Sequence, residues 1–158
     1  RITGKPQSGR TALCDCFARH ISNPKDPNGM IAIGEEALET SITDHSASLI
    51  YVVRPDQLED AAFDIIWIIE RMKNSPRRNL LILITHADQD DNWPGNCAQE
   101  LTAGSFGQHF GTALTFAHKE LPLRVKVSAC SLQVPDTEPP DRLGLLTAMD
   151  WLYGALVQ

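Results

Sequence analysis

Residues 4–11 read GKPQSGRT, in which two glycines five positions apart are followed by a basic residue and a hydroxyl residue. Glycines at this spacing let backbone N–H groups turn inward around phosphate oxygens, while the cation reaches the outer phosphates and the hydroxyl holds Mg²⁺. Such a loop follows a strand and opens a helix, whose N-terminus adds its dipole to the site. Ile2 and Thr3 supply the strand end, and the apolar spacing over residues 11–21 predicts the helix. The segment therefore predicts a phosphate-binding P-loop.

Arg10 stands where a P-loop normally carries lysine. Arginine keeps the charge, but its planar fork does not replace a compact ammonium, so Lys5 inside the loop is the alternative cation. A glycine-rich turn that holds no ligand is the alternative interpretation of the whole segment. In the P-loop interpretation, Thr11 is the Mg²⁺ ligand. The predicted phosphate contacts within the loop are Gly4, Lys5, Ser8, Gly9, Arg10 and Thr11.

Apolar runs elsewhere in the chain predict the sheet. Residues 48–53 and 80–84 are apolar on both faces, as in central strands of a parallel sheet with helices on both sides. Residues 123–127 alternate apolar and basic side chains and predict a further strand. Together with the intervening helices, these strands predict an α/β fold: a P-loop NTPase-type three-layer sandwich with a mostly parallel sheet.

Helical periodicity fills the segments between and after these strands. It predicts a helix over residues 57–73, for which Asp56 is a candidate N-cap. The apolar stripe of this helix includes Ile66, and Trp67 among its isoleucines is expected in the core. A closing helix is predicted over residues 142–157.

Composition and charge limit the function. The 158 residues suit one domain, 1–158, and contain 14 basic and 20 acidic residues, a net charge of −6. This balance argues against a nucleic-acid binder that relies on neutralising phosphates, but it allows a single nucleotide to bind. Four cysteines without metal or redox spacing are expected to be free thiols in a reducing, cytoplasmic setting.

The order of motifs along the chain resembles that of small GTPases of the Ras superfamily. Residues 85–88 read THAD and resemble the guanine-specificity motif [N/T]-K-x-D, and residues 128–130 read SAC and resemble the S-A loop. The resemblance implies that the Asp88 carboxylate accepts hydrogen bonds from guanine and that the Ala129 N–H donates to its O6. His86 stands where the family's lysine lies along the base. The implied guanine-binding residues are Thr85, His86, Asp88, Ser128 and Ala129. The alternative role for Asp88 is a carboxylate that caps a turn or helix.

Two further stretches are similar to the ADP-ribosylation-factor-like branch of this family. Residues 144–152 read GLLTAMDWL and resemble the closing helix of that branch. Residues 49–58, a predicted strand and the start of the helix that follows it, are also similar to that branch. The resemblance covers the chain from Gly4 onward, except for residues 22–28 and about 92–111.

The switch regions depart from the family pattern. The family's D-x-x-G-Q segment aligns best with residues 31–35, IAIGE, which puts Ile31 at the Asp, Gly34 at the γ-phosphate glycine and Glu35 at the glutamine. Glu35 is the candidate catalytic base, because a strongly shifted carboxylate could act as one. The alternative is that Gly34 merely precedes a helix. The first switch is expected to be short or missing, and the abrupt start suggests that the natural protein extends further toward the N-terminus.

These observations predict a guanine-nucleotide-binding protein with slow or absent GTP hydrolysis, acting as a regulatory or trafficking interaction module. Its expected ligands are GTP or GDP with Mg²⁺, and its expected partners are effectors or complex subunits, with or without peripheral association with a membrane. The alternative is a nucleotide-free pseudo-GTPase scaffold subunit, since three chemical positions are substituted. A third interpretation is an ATP-binding P-loop protein, for which Asp88 would be irrelevant.

Overall fold

Parallel strands and the helices that cross between them make up the described part of the chain. The computed structural model describes residues 1–21, 48–72, 79–89, 124–131, 148 and 150–152. Residues 148 and 150–152 are helical. The elements are strands β1 (Ile2–Gly4), β2 (Ser48–Val53), β3 (Asn79–Ile84) and β4 (Arg124–Ala129), helices α1 (Arg10–Ile21) and α2 (Leu58–Met72), and 3₁₀ turns at Pro55–Gln57 and Ala87–Gln89.

The four strands form one parallel sheet in the order β1-β2-β3-β4. Ile2 pairs with Ile50, Ile50 with Leu81, and Leu81 with Lys126, so one row of residues crosses the whole sheet. Because all strands run the same way, their carboxyl ends and the loops that follow them meet at one edge.

The alternation of side chains in β2 and β3 separates two cores. Odd-numbered residues of β2 and even-numbered residues of β3 pack against the buried stripe of α2, where Ile65 and Ile68 are fully buried. The other apolar residues of both strands lie in a second cluster with Leu13 of α1 and the helical residues Ala148 and Leu152. Helices therefore cover both faces of the sheet, which confirms the predicted three-layer α/β fold.

The structure corrects three predictions about individual residues in and next to α2. Asp56 does not cap α2: it lies within the preceding 3₁₀ turn, and its carboxylate accepts two hydrogen bonds of 2.9 and 2.8 Å from the Arg54 guanidinium. Ile66 is 43% exposed because it lies past the edge of the stripe that the sheet covers. Trp67 only flanks the core and carries the Arg71 guanidinium 5.3 Å from its ring centroid.

The predictions for Ile31, Gly34 and Glu35 fall outside the described residues, as do most of the predicted closing helix and the first switch. Within the described ranges, no helix is both long and apolar enough to cross a membrane.

Candidate functional site

The candidate site lies at the carboxyl edge of the sheet, where ligands of open α/β folds bind. The loop after β1 leads into α1, the loop after β3 holds the turn Ala87–Gln89, and Cys130 follows β4. The sequence motifs for phosphate and for guanine therefore occupy three loops on the same edge. The short strand β1 brings its loop beside the end of β2, through the hydrogen bond from the Lys5 N–H to the Val52 carbonyl at 3.2 Å.

Backbone conformation in the P-loop requires its glycines. Gly4 has φ +145°, and a Cβ built there would lie 2.7 Å from the Val52 nitrogen, so only glycine fits against β2. Gly9 has φ 86° and Gln7 has φ 58°, both in the left-handed region. Alternation between left- and right-handed residues turns successive N–H groups toward a common concavity, which is the geometry that binds anions.

Ser8 is the innermost residue of the loop. It is fully buried, and its Oγ has no hydrogen-bond partner among the residues that the structure describes. Its N–H donates to the Lys5 carbonyl at 3.3 Å, which closes a turn, and the Leu13 N–H donates to the Gly9 carbonyl at 2.9 Å, which begins α1. A buried hydroxyl without a partner is costly, so this position favours a ligand that supplies one.

Lys5 is paired inside the protein. Its Nζ lies 3.1 Å from Asp64 Oδ2 on α2, and the Tyr51 hydroxyl donates to the same oxygen at 2.6 Å. Both charged side chains are about a quarter exposed, at 23% and 29%. Burial, and next the hydrogen bond and negative charge of Asp64, raise the pKa of Tyr51 well above its usual range, so its hydroxyl stays a donor. In this arrangement Lys5 ties the loop to β2 and α2.

Two further hydrogen bonds hold carbonyl groups of the loop. The Gln57 amide donates to the Pro6 carbonyl at 2.9 Å. The Thr85 hydroxyl donates to the Ser8 carbonyl at 2.6 Å within the protein interior, and the Thr85 N–H donates to the Val53 carbonyl at 2.9 Å. The P-loop is thus fixed by residues from β2, α2 and the loop after β3.

The predicted guanine residues lie together beside this loop. The Ala87 N–H donates to the Cys130 carbonyl at 3.2 Å, and the Cys130 N–H donates to the Ile84 carbonyl at 2.8 Å, so the loops after β3 and β4 are joined. Asp88 is exposed in the 3₁₀ turn, while Ser128 and Ala129 are buried at the end of β4. An exposed carboxylate next to a fixed backbone can accept hydrogen bonds from the edge of a base.

Arg10 and Thr11 begin α1, with Arg10 half-buried and Thr11 exposed. Among the described residues, no group of three His, Cys, Asp or Glu side chains is placed to hold a metal ion. Mg²⁺ at a phosphate site draws most of its ligands from phosphate oxygens and water, so one protein hydroxyl such as that of Thr11 fits it.

The motifs assigned no role to three residues that shape the site: Tyr51, Gln57 and Asp64. The available signals were a tyrosine in an otherwise aliphatic strand and an aspartate amid the isoleucines of α2. Each places a polar group where the apolar pattern alone expects none.

Comparisons with known proteins identify the fold. No family model and no curated protein matches the chain. Among solved structures, it is similar to an ADP-ribosylation-factor-like GTP-binding protein, the small COPII coat GTPase SAR1 from Encephalitozoon cuniculi in complex with GDP. The match has a TM-score of 0.58 and 12% identity and covers 99% of this chain and 78% of that chain. The resemblance predicted from the motifs is therefore confirmed at the level of the fold: the chain has the fold of a small GTPase.

Proposed function

We propose that this protein binds a guanine nucleotide at the carboxyl edge of its sheet, hydrolyses GTP slowly or not at all, and acts as a regulatory interaction module. The observation that carries the proposal is the hydrogen bond between the Thr85 hydroxyl and the Ser8 carbonyl. It joins the loop with phosphate-binding spacing to the loop with guanine-binding spacing, so that one nucleotide could contact both.

The phosphates would lie against the P-loop. Gly9 and the N-terminus of α1 offer N–H groups, and the buried Ser8 hydroxyl would gain the partner that it lacks among the described residues. Arg10 would supply the positive charge, and Thr11 would hold Mg²⁺ together with the phosphate oxygens. Mg²⁺ would supply neutralisation of phosphate charge when bound.

The base would lie against the other two loops. The exposed Asp88 carboxylate would accept hydrogen bonds from the N1–H and amino group of guanine, while the Ala129 N–H would donate to O6. Adenine carries a donor where guanine has O6 and lacks both guanine donors, so this arrangement selects guanine. The GDP in the structure of the coat GTPase supports the same ligand class.

Slow hydrolysis follows from the substitutions at chemical positions. Catalysis of phosphoryl transfer is almost entirely positioning and charge stabilisation. Here Arg10 replaces the usual lysine, and the motif alignment places Ile31 and Glu35 where the family has aspartate and glutamine. A regulatory or trafficking role with protein partners, including work at a membrane surface, is supported by the similar fold of a coat GTPase.

Thermal unfolding with GDP, GTP and ATP, each with and without Mg²⁺, tests the proposal. A guanine nucleotide at about a hundredfold excess over its Kd should add about 2.7 kcal/mol of stability, or about 5–10 °C for a chain of this size. Asp88→Ala should abolish the shift without changing the unliganded melting temperature, because Asp88 is exposed. Asp60→Ala, which removes an exposed carboxylate on α2, is the matched control and should keep the full shift.

A nucleotide-free scaffold is the second candidate, and two observations favour it. The Lys5 ammonium forms an ion pair with Asp64, and the Ser8 N–H donates a hydrogen bond to the Lys5 carbonyl. Two groups of the loop therefore already have partners within the protein. Phe63 on α2 is 82% exposed and offers a surface for a partner. Absence of any nucleotide shift would support this candidate, and an equal shift with ATP would contradict the role given to Asp88.

A further inference from the structure

A chain of hydrogen bonds runs from the P-loop to His86. The Thr85 hydroxyl oxygen lies 2.6 Å from the Ser8 carbonyl oxygen, and His86 Nδ1 lies 3.1 Å from the same hydroxyl oxygen. A carbonyl oxygen has no hydrogen to give, so Thr85 donates to Ser8. A hydroxyl has one hydrogen, so its oxygen must accept from His86. The neutral imidazole therefore carries its proton on Nδ1.

Backbone hydrogen bonds around His86 hold its ring in the position that the contact with Thr85 requires. His86 has φ 54°, a left-handed conformation that histidine adopts more often than most residues. Its carbonyl accepts from the Gln89 N–H at 3.0 Å, and the Ala87 N–H is held by the Cys130 carbonyl at 3.2 Å. His86 is thus fixed on the side of β4 by its backbone and on the side of the P-loop by its ring.

The Thr85 hydroxyl has two acceptors within reach, and the shorter distance identifies the one that receives its hydrogen. The Val53 carbonyl lies 3.4 Å from the hydroxyl oxygen, and the Ser8 carbonyl lies at 2.6 Å. A donor that occupies one lone pair of the oxygen polarises the hydroxyl and strengthens the bond that it donates. The His86 N–H therefore strengthens the bond to Ser8.

The peptide unit between Ser8 and Gly9 transmits this bond to the ligand side of the loop. In a planar trans peptide the C=O and N–H groups point in opposite directions. When the Ser8 carbonyl is held toward Thr85, the Gly9 N–H must point away from Thr85. Gly9 itself has φ 86°, so the residue that carries this N–H has the left-handed conformation described above for the P-loop.

We propose that His86 is a positioning residue for the P-loop: through Thr85, its Nδ1–H fixes the Ser8–Gly9 peptide and thereby aims the Gly9 N–H for phosphate. This inference rests on the proposed nucleotide site. It gives His86, a residue of the base loop, an effect on the phosphate end of the ligand.

Four variants separate the hydrogen bond from the backbone. His86→Gly tolerates the left-handed φ and removes the donor. His86→Asn also tolerates that φ, and its side-chain amide places an N–H donor close to the position of Nδ1. Thr85→Val removes the hydroxyl that links His86 to Ser8, with little change in the shape of the side chain. Gln89→Ala, an exposed side chain in the same turn, is the control.

Nuclear magnetic resonance on the nucleotide-free protein provides the first readout. With ¹⁵N-labelled histidine at mildly alkaline pH, the His86 ring, assigned by its loss in His86→Asn, should show the Nδ1–H tautomer. The same ring should become a mixture of tautomers in Thr85→Val. The Gly9 amide chemical shift, which reports the orientation of the Ser8–Gly9 peptide, should change in His86→Gly and Thr85→Val, and His86→Asn should restore it. An Nε2–H tautomer in the unaltered protein would overturn the proposal.

GDP affinity, measured by calorimetry, provides the second readout. We expect His86→Gly to weaken GDP binding about 5- to 10-fold, the size of one hydrogen bond, and His86→Asn to recover most of that loss. His86→Gly should add little to Thr85→Val, because both break the same chain. Equal losses in His86→Gly and His86→Asn would refute the role of the donor. If the unaltered protein binds no GDP, the proposed function fails, and the tautomer and the Gly9 chemical shift still decide this inference.

Discussion

Replacing Tyr51 by phenylalanine tests the polar network beneath the P-loop. Tyr51 is fully buried between β2 and α2, and its hydroxyl donates to the Asp64 carboxylate, which also pairs with Lys5. The substitution removes one oxygen and leaves the ring. It therefore removes the hydrogen bond without opening a large cavity.

The expected loss of stability follows from the partners that remain. A hydrogen bond to a charged group contributes about 1.5–3 kcal/mol. In Tyr51→Phe the Asp64 carboxylate keeps Lys5 at 3.1 Å and is 29% exposed to water, so it is not left without partners. The loss should therefore lie near the lower end, at about 1–2 kcal/mol at neutral pH. Asp64→Ala should cost more, because the buried Tyr51 hydroxyl would lose its acceptor.

Measurements at alkaline pH distinguish the contribution of the Tyr51 hydroxyl to stability from the contribution of its ring packing. The folded protein raises the pKa of Tyr51 above its usual value of about 10, through burial and then through Asp64. Below pH about 10 both states keep the phenolic proton and the contribution is fully present. At higher pH the unfolded tyrosine ionises first, so the free energy of unfolding falls by up to about 1.4 kcal/mol per pH unit. Tyr51→Phe lacks this fall.

Urea unfolding between pH about 7 and about 11 measures both quantities, with Tyr153→Phe as the control for the other tyrosine. The stability difference between the unaltered protein and Tyr51→Phe should shrink as the pH rises. Equal stabilities at neutral pH together with parallel pH profiles would show that the Tyr51–Asp64 hydrogen bond does not form.

Four other substitutions test the loop and the core. Gly4→Ala places a Cβ against Val52 at a positive φ and should lower the free energy of unfolding by about 2–4 kcal/mol in urea; a loss below about 0.5 kcal/mol would contradict this close approach. Ile65→Ala should cost about 2–5 kcal/mol and Phe63→Ala less than about 0.5 kcal/mol, because the first is buried and the second is 82% exposed; the reverse order would contradict the facing of α2. Arg10→Lys, which restores a compact ammonium, should tighten Mg²⁺-dependent GDP binding about 3- to 10-fold in calorimetry; unchanged affinity would remove this side chain from the phosphate contacts.

The architecture was predictable because its signals are local. Runs of apolar residues over 48–53 and 80–84 can be satisfied only between two helical layers, and the structure has both strands there. The facing of α2 was predicted less well. Its apolar residues form a stripe wider than the surface that the sheet covers, and periodicity does not tell which edge stays exposed. Ile66 and Phe63 lie on that edge.

The loop that carries the candidate site was predictable from its glycines, but its contacts were not. The glycine spacing identified the loop, since Gly4 and Gly9 have conformations that favour glycine. The partner of Lys5 could not be read from the motif, because Asp64 is brought to it by the packing of α2 on the sheet. Whether a cation in such a loop faces a ligand or a neighbouring helix depends on tertiary contacts, which spacing along the chain does not encode.

The parallel sheet also sets the order in which the chain can fold. Ile2 pairs with Ile50, and Ser8 meets Thr85 at a sequence separation of 77 residues. Contacts between distant segments require large loops to close first, so folds rich in them form slowly, in milliseconds to seconds. During synthesis the P-loop leaves the ribosome before β2, α2 and the loop after β3, which carry the groups that shape it. The geometry of this loop is therefore a late product of folding, and a chain that ends before β3 would lack it.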